Sequence, residues 1–400
     1  MGMFINSRVP FESYLLVKND IYFVDKTSII EELIPSLGGE KRFICITRPR
    51  RFGKSVMANM IGAFFGKAAD AGAVFDTLKI ASSQRYKEHL NQHCVVYIDF
   101  SRMPLNCDDY RAYIGRISDG IKHDLMAEFS NLDIGFHHDL WDMFQFVFEK
   151  TGQRFIFVMD EWDAIFHKEF ISEKDRKSYL GFLRDLLKGQ AYVELAYMTG
   201  ILPVAKYSSG SELNMFMEYD MATKVKFGEY FGFLDGEVDR LYEVYLENTK
   251  KPRITREELA LWYDGYHTAA GERMYNPRSV VCALTDNQIS NYWTGSGPYD
   301  EIFYYIRNNI DDVRDELALM VSGERVEIKL QGYAATDTQL NTKNQIYSAM
   351  VVYGLLTYED GAVFIPNKEL MDRFDELLLT NDGLGYVHNL ARESAKMLQG

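Results

Sequence analysis

Four short and almost wholly apolar segments constrain the fold of this chain most strongly. They are residues 42–46, 94–98, 155–159 and 195–198. Unbroken apolarity over so few residues is typical of strands that are buried on both faces of a parallel sheet. Helical patterns separate these segments, as in the stripe formed by Met57, Met60, Ile61 and Phe64. The alternation predicts a doubly wound, mainly parallel α/β sheet, which binds ligands at the carboxyl ends of its strands.

The pattern changes near Phe231, and helical periodicity then dominates to about residue 380. Asp235 is a candidate N-cap for the first of these helices. Two apolar stretches, 354–358 and 362–365, flank Glu359-Asp360-Gly361, which is a hairpin signature. We therefore predict an α/β domain over residues 1–230, a helical domain over 231–345, and a winged-helix-like segment with a C-terminal helix over 346–400.

Charge and composition exclude several classes of protein. The chain has 44 Lys and Arg against 58 Asp and Glu, a net charge of −14, which disfavours a general nucleic-acid coat protein. No window approaches the length of an apolar membrane span, and the N-terminus lacks the pattern of a secretory signal. The four cysteines have no C-x-x-C spacing. These features predict a cytoplasmic protein with reduced thiols and no membrane partner.

A basic, glycine-containing segment joins the first predicted strand to the first predicted helix. It reads Thr47-Arg48-Pro49-Arg50-Arg51-Phe52-Gly53-Lys54-Ser55 and matches the second half of the G-x-x-x-x-G-K-[ST] phosphate loop, with Arg48 in place of the first glycine. Amides at a helix N-terminus bind phosphate, Lys54 would contact the β/γ oxygens, and Ser55 would ligate Mg²⁺. The predicted nucleotide-binding residues here are Arg48, Pro49, Arg50, Arg51, Phe52, Gly53, Lys54, Ser55 and Val56. The alternative is a solvated basic turn, which the mutual repulsion of three arginines beside a helix N-terminus disfavours.

Two further strand ends carry polar residues that suit phosphoryl transfer. The third apolar segment ends in Asp160-Glu161, where the first acid would hold Mg²⁺ together with Ser55 and the second would polarise the attacking water. The fourth ends in Thr199-Gly200, and Thr199 is a candidate sensor of the γ-phosphate. We predict Glu161, Asp160, Lys54 and Thr199 as the catalytic set. A helix N-cap at Asp160 and a plain Thr-Gly turn are the alternatives.

Several motifs in order along the chain resemble the predicted AAA-ATPase-like family, a bacterial group of P-loop proteins related to archaeal and STAND-type ATPases. The motifs lie at 22–27, 48–55, 160–163, 199–201, 231–233, 262–266 and 275–279. The resemblance implies a P-loop NTPase core that binds ATP and Mg²⁺, followed by a helical, winged-helix-like region. It also implies that Asp25 and Lys26 lie near the adenine and that Arg278 belongs to a nucleotide-sensing motif. A simple helix start at 25–27 and a surface ion pair of Arg278 remain open.

The function that these motifs favour is a Mg-ATP-dependent switch that hydrolyses ATP slowly and acts on another module or on a protein partner. A nucleic-acid-associated module with a vestigial P-loop and phosphotransfer to another acceptor are the alternatives. Members of the family often carry a PD-(D/E)xK nuclease-like domain, which would make this chain the ATPase half of a nuclease system. We find no such motif beyond residue 370, and Glu327-Ile328-Lys329 has the E-x-K spacing without a strand-end Asp before it.

Overall fold

The computed structural model describes residues 2–105, 107–135, 139–204, 212–293, 310–330 and 342–379. The chain forms two compact units, Met1–Thr47 with Lys54–Tyr219, and Arg48–Gly53 with Asp220–Gly400. The loop Arg48–Gly53 is thus grouped with the C-terminal residues, although the chain on both sides of it belongs to the first unit. The three-part division with boundaries at 230 and 345 stays a prediction.

The first unit contains a five-stranded sheet whose neighbouring strands all run parallel. The strands are β1 (Phe43–Thr47), β2 (Cys94–Asp99), β3 (Phe155–Asp160), β4 (Val193–Gly200) and β5 (Met217–Tyr219), in the order β2-β3-β4-β1-β5. The four apolar segments of the sequence are β1 to β4, and β1 and β3 are buried along their whole length. The predicted α/β class with a parallel sheet is confirmed.

Helices precede β1 and connect β1 to β4. They are α1 (Val9–Lys18), α2 (Ile29–Leu33), α3 (Lys54–Phe65), α4 (Gly72–Phe75), α5 (Tyr86–His89), α6 (Tyr110–Glu128), α7 (Leu140–Thr151) and α8 (Glu173–Leu187). Short 3-10 turns lie at Ile34–Ser36, Lys79–Ser82 and Ala164–His167. The predicted stripe on α3 is buried. Ser172 caps α8 by accepting from the Asp175 amide, and the Asp175 carboxylate accepts from the Ser172 amide.

Where the structure describes it, the second unit is mainly helical and has two small antiparallel sheets. Its helices are α9 (Asp235–Asn248), α10 (Arg256–Tyr263), α11 (Pro277–Asp286), α12 (Ile310–Val321), α13 (Lys343–Tyr353) and α14 (Lys368–Leu379), and a 3-10 turn spans Gly228–Tyr230. Its strands are β6 (Phe233–Leu234), β7 (Tyr266–His267), β8 (Arg273–Tyr275), β9 (Val326–Glu327), β10 (Thr357–Glu359) and β11 (Ala362–Phe364). The sheet orders are β6-β8-β7 and β10-β11-β9.

The structure agrees with part of the sequence prediction for this unit and corrects another part. The β10–β11 hairpin forms around Asp360-Gly361 as predicted. Glu327 lies in β9, a strand that the sequence did not indicate. The prediction that Asp235 caps α9 is wrong: Asp235 is the first helical residue, and the Glu237 carboxylate accepts from the Leu234 amide at 2.8 Å.

The C-terminal helix of the predicted 346–400 segment, expected over residues 387–398, lies outside the described residues. Within the described residues, no helix has the length and apolarity needed to cross a membrane.

Candidate functional site

The parallel register brings polar strand ends together at one edge of the sheet. Asp99 of β2 is aligned with Asp160 of β3. On the other side of β3, Met159 is aligned with Met198, so Thr199, the next residue of β4, lies beside Asp160. Because β4 lies between β3 and β1, Thr199 is also aligned with Ile46, one residue before β1 ends. The structure thus brings Asp160 and Thr199 together, as the two strand-end motifs predict.

Asp160 lies at the centre of a buried hydrogen-bond network. The Thr199 Oγ1 hydroxyl donates to Asp160 Oδ1 at 2.5 Å, and Asp160 and Thr199 are 3% and 0% exposed. The Ser55 side chain also hydrogen-bonds Asp160. Burial raises the pKa of Asp160, whereas the bonds from Thr199 and Ser55 and the nearby charge of Lys54 oppose that rise. Side chains from β4 and from the start of α3 therefore meet the Asp160 carboxylate of β3.

Glu161 directly follows the strand and has an unusual backbone conformation. Its φ is +49°, in the left-handed region, and its amide donates to Asp160 Oδ1 at 3.1 Å. A residue without glycine's freedom adopts this region at an energetic cost, and such residues cluster at functional sites. Burial raises the pKa of Glu161, and the Asp160 charge raises it further. A carboxylate with a raised pKa is suited to accept a proton from water.

The Trp162-Asp163 pair fixes the strand ends relative to each other. The Trp162 amide donates to the Thr199 carbonyl at 3.0 Å, and its indole Nε1 donates to the Leu202 carbonyl at 3.2 Å. Asp163 Oδ2 accepts from the amides of Ile201 and Leu202 at 2.9 and 2.7 Å. These bonds connect the residues after β3 to the end of β4 and the residues after it, and so fix the position of Glu161 relative to Thr199.

Most residues of the loop Arg48–Gly53 are anchored inside the second unit. The Arg48 guanidinium is 1% exposed, donates through Nη2 to the Phe227 carbonyl at 3.0 Å and lies 4.9 Å from the Phe231 ring centroid. Arg51 has a φ of +69° and donates through Nη1 to the Tyr292 carbonyl at 2.7 Å. That Arg48 and Arg51 bind phosphate stays a prediction.

Pro49 and Phe52 complete this anchoring with apolar contacts. A Cβ placed on Gly354 would lie 2.6 Å from Pro49 Cβ, which shows how closely Pro49 approaches the end of α13. Phe52 is 1% exposed and packs edge-on against Tyr266, with ring centroids 4.9 Å apart. Gly53 has a φ of +85°, and no atom lies within 4 Å of the place where a Cβ would stand. Gly53 thus presents open backbone, as a phosphate loop requires.

The other residues predicted to contact the nucleotide lie before α2, in the loop Arg48–Gly53, in α3 and in α11. The Asp25 carboxylate accepts from the Thr27 amide and hydroxyl at 2.9 and 2.7 Å and from the Lys79 amide at 2.7 Å, so its observed contacts are structural. Lys26 and Arg50 are half-buried, and Ser55 and Val56 are exposed at the start of α3. Arg278 is exposed in the first turn of α11. The nucleotide roles of these residues stay predictions.

Sequence reasoning missed two acids at this edge, Asp99 and Asp163. The Asp99 charge raises the pKa of Asp160. Asp99 directly follows the second apolar segment, so the rule that parallel strand ends meet at one edge already points to it. Asp163 belongs to the 160–163 motif, but its bonds to the backbone amides of Ile201 and Leu202 are contacts that a sequence does not show.

The residues present suit Mg²⁺ and a triphosphate. A carboxylate and a hydroxyl supply the oxygen ligands that Mg²⁺ prefers, and Mg²⁺ usually keeps waters and phosphate oxygens in its other positions. The Lys54 side chain, 6% exposed, lies close enough to lower the pKa values of both Asp160 and Glu161. Among the described residues, no cluster of three or more His, Cys, Asp or Glu forms an all-protein metal cage.

The strand order, the Lys54-Ser55 helix start and the buried Asp160–Thr199 pair together define a P-loop NTPase fold. Residues 11–209, about half of the chain, match the sequence model of the predicted AAA-ATPase family. Over these residues the chain belongs to that family.

Individual relatives are distant. An uncharacterized protein in the vnfD 5′ region of Azotobacter chroococcum mcd 1 is 25% identical over 299 residues, which cover 70% of this chain and 51% of the relative. This chain therefore spans about half the length of that protein. Among solved structures, the Walker-type ATPase PABY2304 of Pyrococcus abyssi matches over 88% of this chain and 94% of its own, with 11% identity and a TM-score of 0.45. The ORC2 protein of Aeropyrum pernix matches over 94% and 95%, with 11% identity and a TM-score of 0.38.

Proposed function

We propose that this protein binds Mg-ATP at the Lys54–Asp160–Thr199 site and hydrolyses it slowly to ADP and phosphate. The observation that carries this proposal is the buried Asp160 carboxylate, which receives hydrogen bonds from the Ser55 and Thr199 side chains beside the Lys54 charge. A purely structural role of Asp160 would not explain why the lysine and the serine of a phosphate-loop motif lie beside it. These groups together have the chemistry that phosphoryl transfer uses.

Each side chain has a distinct role in the proposed reaction. The Lys54 ammonium neutralises charge on the β- and γ-phosphate oxygens, where negative charge develops as the bond to the leaving group breaks. Ser55 and Asp160 would hold Mg²⁺, which supplies further neutralisation of the phosphates. Glu161 accepts a proton from the attacking water, and its raised pKa suits this task. Thr199 fixes the Asp160 carboxylate in place through their 2.5 Å bond.

We further propose that the nucleotide state is passed to the C-terminal residues and from there to another module or a protein partner. Arg48, Pro49, Arg51 and Phe52, which the motif assigns to the phosphate loop, all contact residues between 227 and 354. A loop that only bound phosphate would not need these anchors. Any movement of the loop on ATP binding or hydrolysis must therefore repack the interior of the second unit, which is the physical basis of a switch.

The test of the hydrolytic site compares Glu161→Gln with the wild type. The amide keeps the shape of the carboxylate but does not accept a proton, so we expect ATP binding within about twofold of wild type and turnover reduced by roughly 10²- to 10⁴-fold. Glu173→Gln is the control, because Glu173 is exposed at the start of α8. Steady-state phosphate release and equilibrium ATP binding are the measurements. Glu161→Gln turning over at the wild-type rate would refute the assignment of the base.

A further inference from the structure

A buried carboxylate in the second unit connects α14 to α11 and to the segment at Tyr292, which also binds the loop arginine Arg51. Glu369 lies in the first turn of α14 and is 1% exposed. Its Oε1 accepts from the amides of Tyr292 and Trp293 at 2.6 and 2.7 Å. Ser279 is 0% exposed, and its hydroxyl donates to Oε2 of the same carboxylate at 2.9 Å. An acid is almost never buried to this extent unless its hydrogen bonds are satisfied, and here they are.

The backbone of Tyr292 binds both Glu369 and Arg51. The Tyr292 amide donates to Glu369, and the Tyr292 carbonyl accepts from Arg51 Nη1 at 2.7 Å. The peptide segment at Tyr292 is thus fixed on one side by an anion and on the other by a cation. The Arg51 charge also acts on Glu369 directly, because it lowers the pKa of that carboxyl. Arg51 and Glu369 therefore depend on each other through a single backbone segment.

Ser279 links the same carboxylate to the Asn276-Pro277-Arg278-Ser279 motif. Asn276 Oδ1 accepts from the Ser279 amide and so caps α11, and the Ser279 hydroxyl then extends from the first turn of α11 to Glu369. Asn291 Nδ2 adds a bond to the Glu369 carbonyl at 2.9 Å. The motif, the segment 291–293 and the loop arginine consequently meet around one side chain.

We propose that Glu369 is a positioning residue for nucleotide binding: its carboxylate fixes the Tyr292–Trp293 backbone, which in turn fixes the Arg51 guanidinium of the phosphate loop. This inference rests on the proposed function, because it assumes that the loop binds ATP. Glu369 itself does not touch the nucleotide. It acts by keeping Arg51 in one orientation, so that ATP binding does not have to order this side chain.

The position of Glu369 also makes this arrangement sensitive to pH near neutrality. Burial raises the pKa of Glu369 to about 7, against the opposing effects of its hydrogen bonds and of Arg51. The other titratable groups facing it are Tyr263 of α10 and Tyr292, whose pKa values its charge raises. Lys368 and Asp372 lie on the same helix. As the pH falls through about 7, Glu369 takes up a proton, its bonds to the Tyr292 and Trp293 amides weaken, and Arg51 loses its fixed support.

The experiment measures the dissociation constant of Mg-ATP from pH 6 to pH 8.5 for the full chain and for Glu369→Gln. At pH 8.5 we expect the wild type to bind Mg-ATP about fivefold more tightly than Glu369→Gln does. This is the factor that one weakened charge-assisted hydrogen bond gives. Protonation of ATP itself affects both proteins equally, so the difference between the two profiles isolates Glu369. Glu376→Gln, an exposed acid on the same helix, is the matched control and should follow the wild-type profile.

A second variant keeps the test decisive if Glu369→Gln does not fold. Ser279→Ala leaves the carboxylate in place but removes a bond that lowers its pKa, so the midpoint of the pH dependence should move to higher pH. A purely structural role of Glu369 would change thermal stability without moving this midpoint. An unchanged midpoint in Ser279→Ala, or ATP binding by Glu369→Gln that equals or exceeds the wild type at pH 8, would overturn the inference. Lys54→Ala is measured alongside: normal ATP binding by that variant would instead refute the proposed function.

Discussion

Thr199 Oγ1 donates a hydrogen bond to Asp160 Oδ1 across two neighbouring parallel strands, at a distance of 2.5 Å. Neither residue is appreciably exposed to solvent. The Asp160 carboxylate is therefore held in a single orientation at the edge of the sheet where the Lys54 helix begins. A carboxylate that must present a fixed oxygen to a metal ion gains from such support.

We expect Thr199→Val to lower ATP turnover by about 10- to 100-fold while ATP binding changes little, because the variant loses a hydrogen bond to a buried charged group. The Thr199 bond lowers the pKa of Asp160, so its loss raises that pKa. Since only the ionised form of Asp160 holds the metal, the acid limb of the pH–rate profile should move to higher pH. Thr199→Ser keeps the hydroxyl and serves as the control. A Thr199→Val profile that coincides with the wild-type profile would argue against the role of Thr199.

Gly200→Ala should destabilise the first unit because the added methyl group has no room. A Cβ at this position would lie 2.4 Å from Trp162 Cδ1 and 2.7 Å from Asp163 Oδ1. Overpacking of this kind costs about 1–3 kcal/mol of unfolding free energy. The comparison is Gly181→Ala in α8, where no atom lies within 4 Å of the new methyl and helix propensity favours alanine. Urea unfolding of both variants measures their free energies of unfolding, and equal values would show that the Trp162 side chain can move aside.

Gly354→Ala tests whether the second unit controls the phosphate loop. The new Cβ would lie 2.6 Å from Pro49 Cβ, so Pro49 must move. Displacement of a binding loop by a fraction of an ångström to one ångström is costly, and we expect the dissociation constant for ATP to rise by about tenfold or more.

The matched control for this prediction is Gly361→Ala. Gly354 and Gly361 have similar φ values, +80° and +86°, so alanine is strained in the backbone at both positions. No atom lies within 4 Å of a Cβ on Gly361. If both variants bind ATP with the same affinity, the contact between residue 354 and Pro49 does not affect nucleotide binding.

The sequence predicts the central sheet well because the strands β1 to β4 are buried, and burial imposes unbroken apolarity. It misses β5, whose Met-Glu-Tyr residues lie half-exposed at the sheet edge and have no such pattern. The short strands of the second unit are missed for a related reason, since two or three residues carry no detectable alternation.

In the candidate site, too, the sequence predicts the features that follow from local patterns and misses those that depend on contacts between distant residues. Lys54, Asp160 and Thr199 could be placed from the strand ends that precede them. The anchoring of Arg51 on Tyr292 and of Phe52 on Tyr266 could not, because these contacts join residues far apart in the chain. Glu369 has no motif of its own, and only its burial and its partners identify it.

Equilibrium binding of Mg-ATP to the wild type and to Lys54→Ala shows most directly whether the start of α3 binds the nucleotide. Lys67→Ala is the control, because Lys67 is exposed just beyond the end of the same helix. Loss of a charge-assisted contact to phosphate should weaken binding by at least about 10- to 100-fold in Lys54→Ala and leave Lys67→Ala unchanged. If Lys54→Ala binds ATP as tightly as the wild type, the nucleotide does not bind at this site.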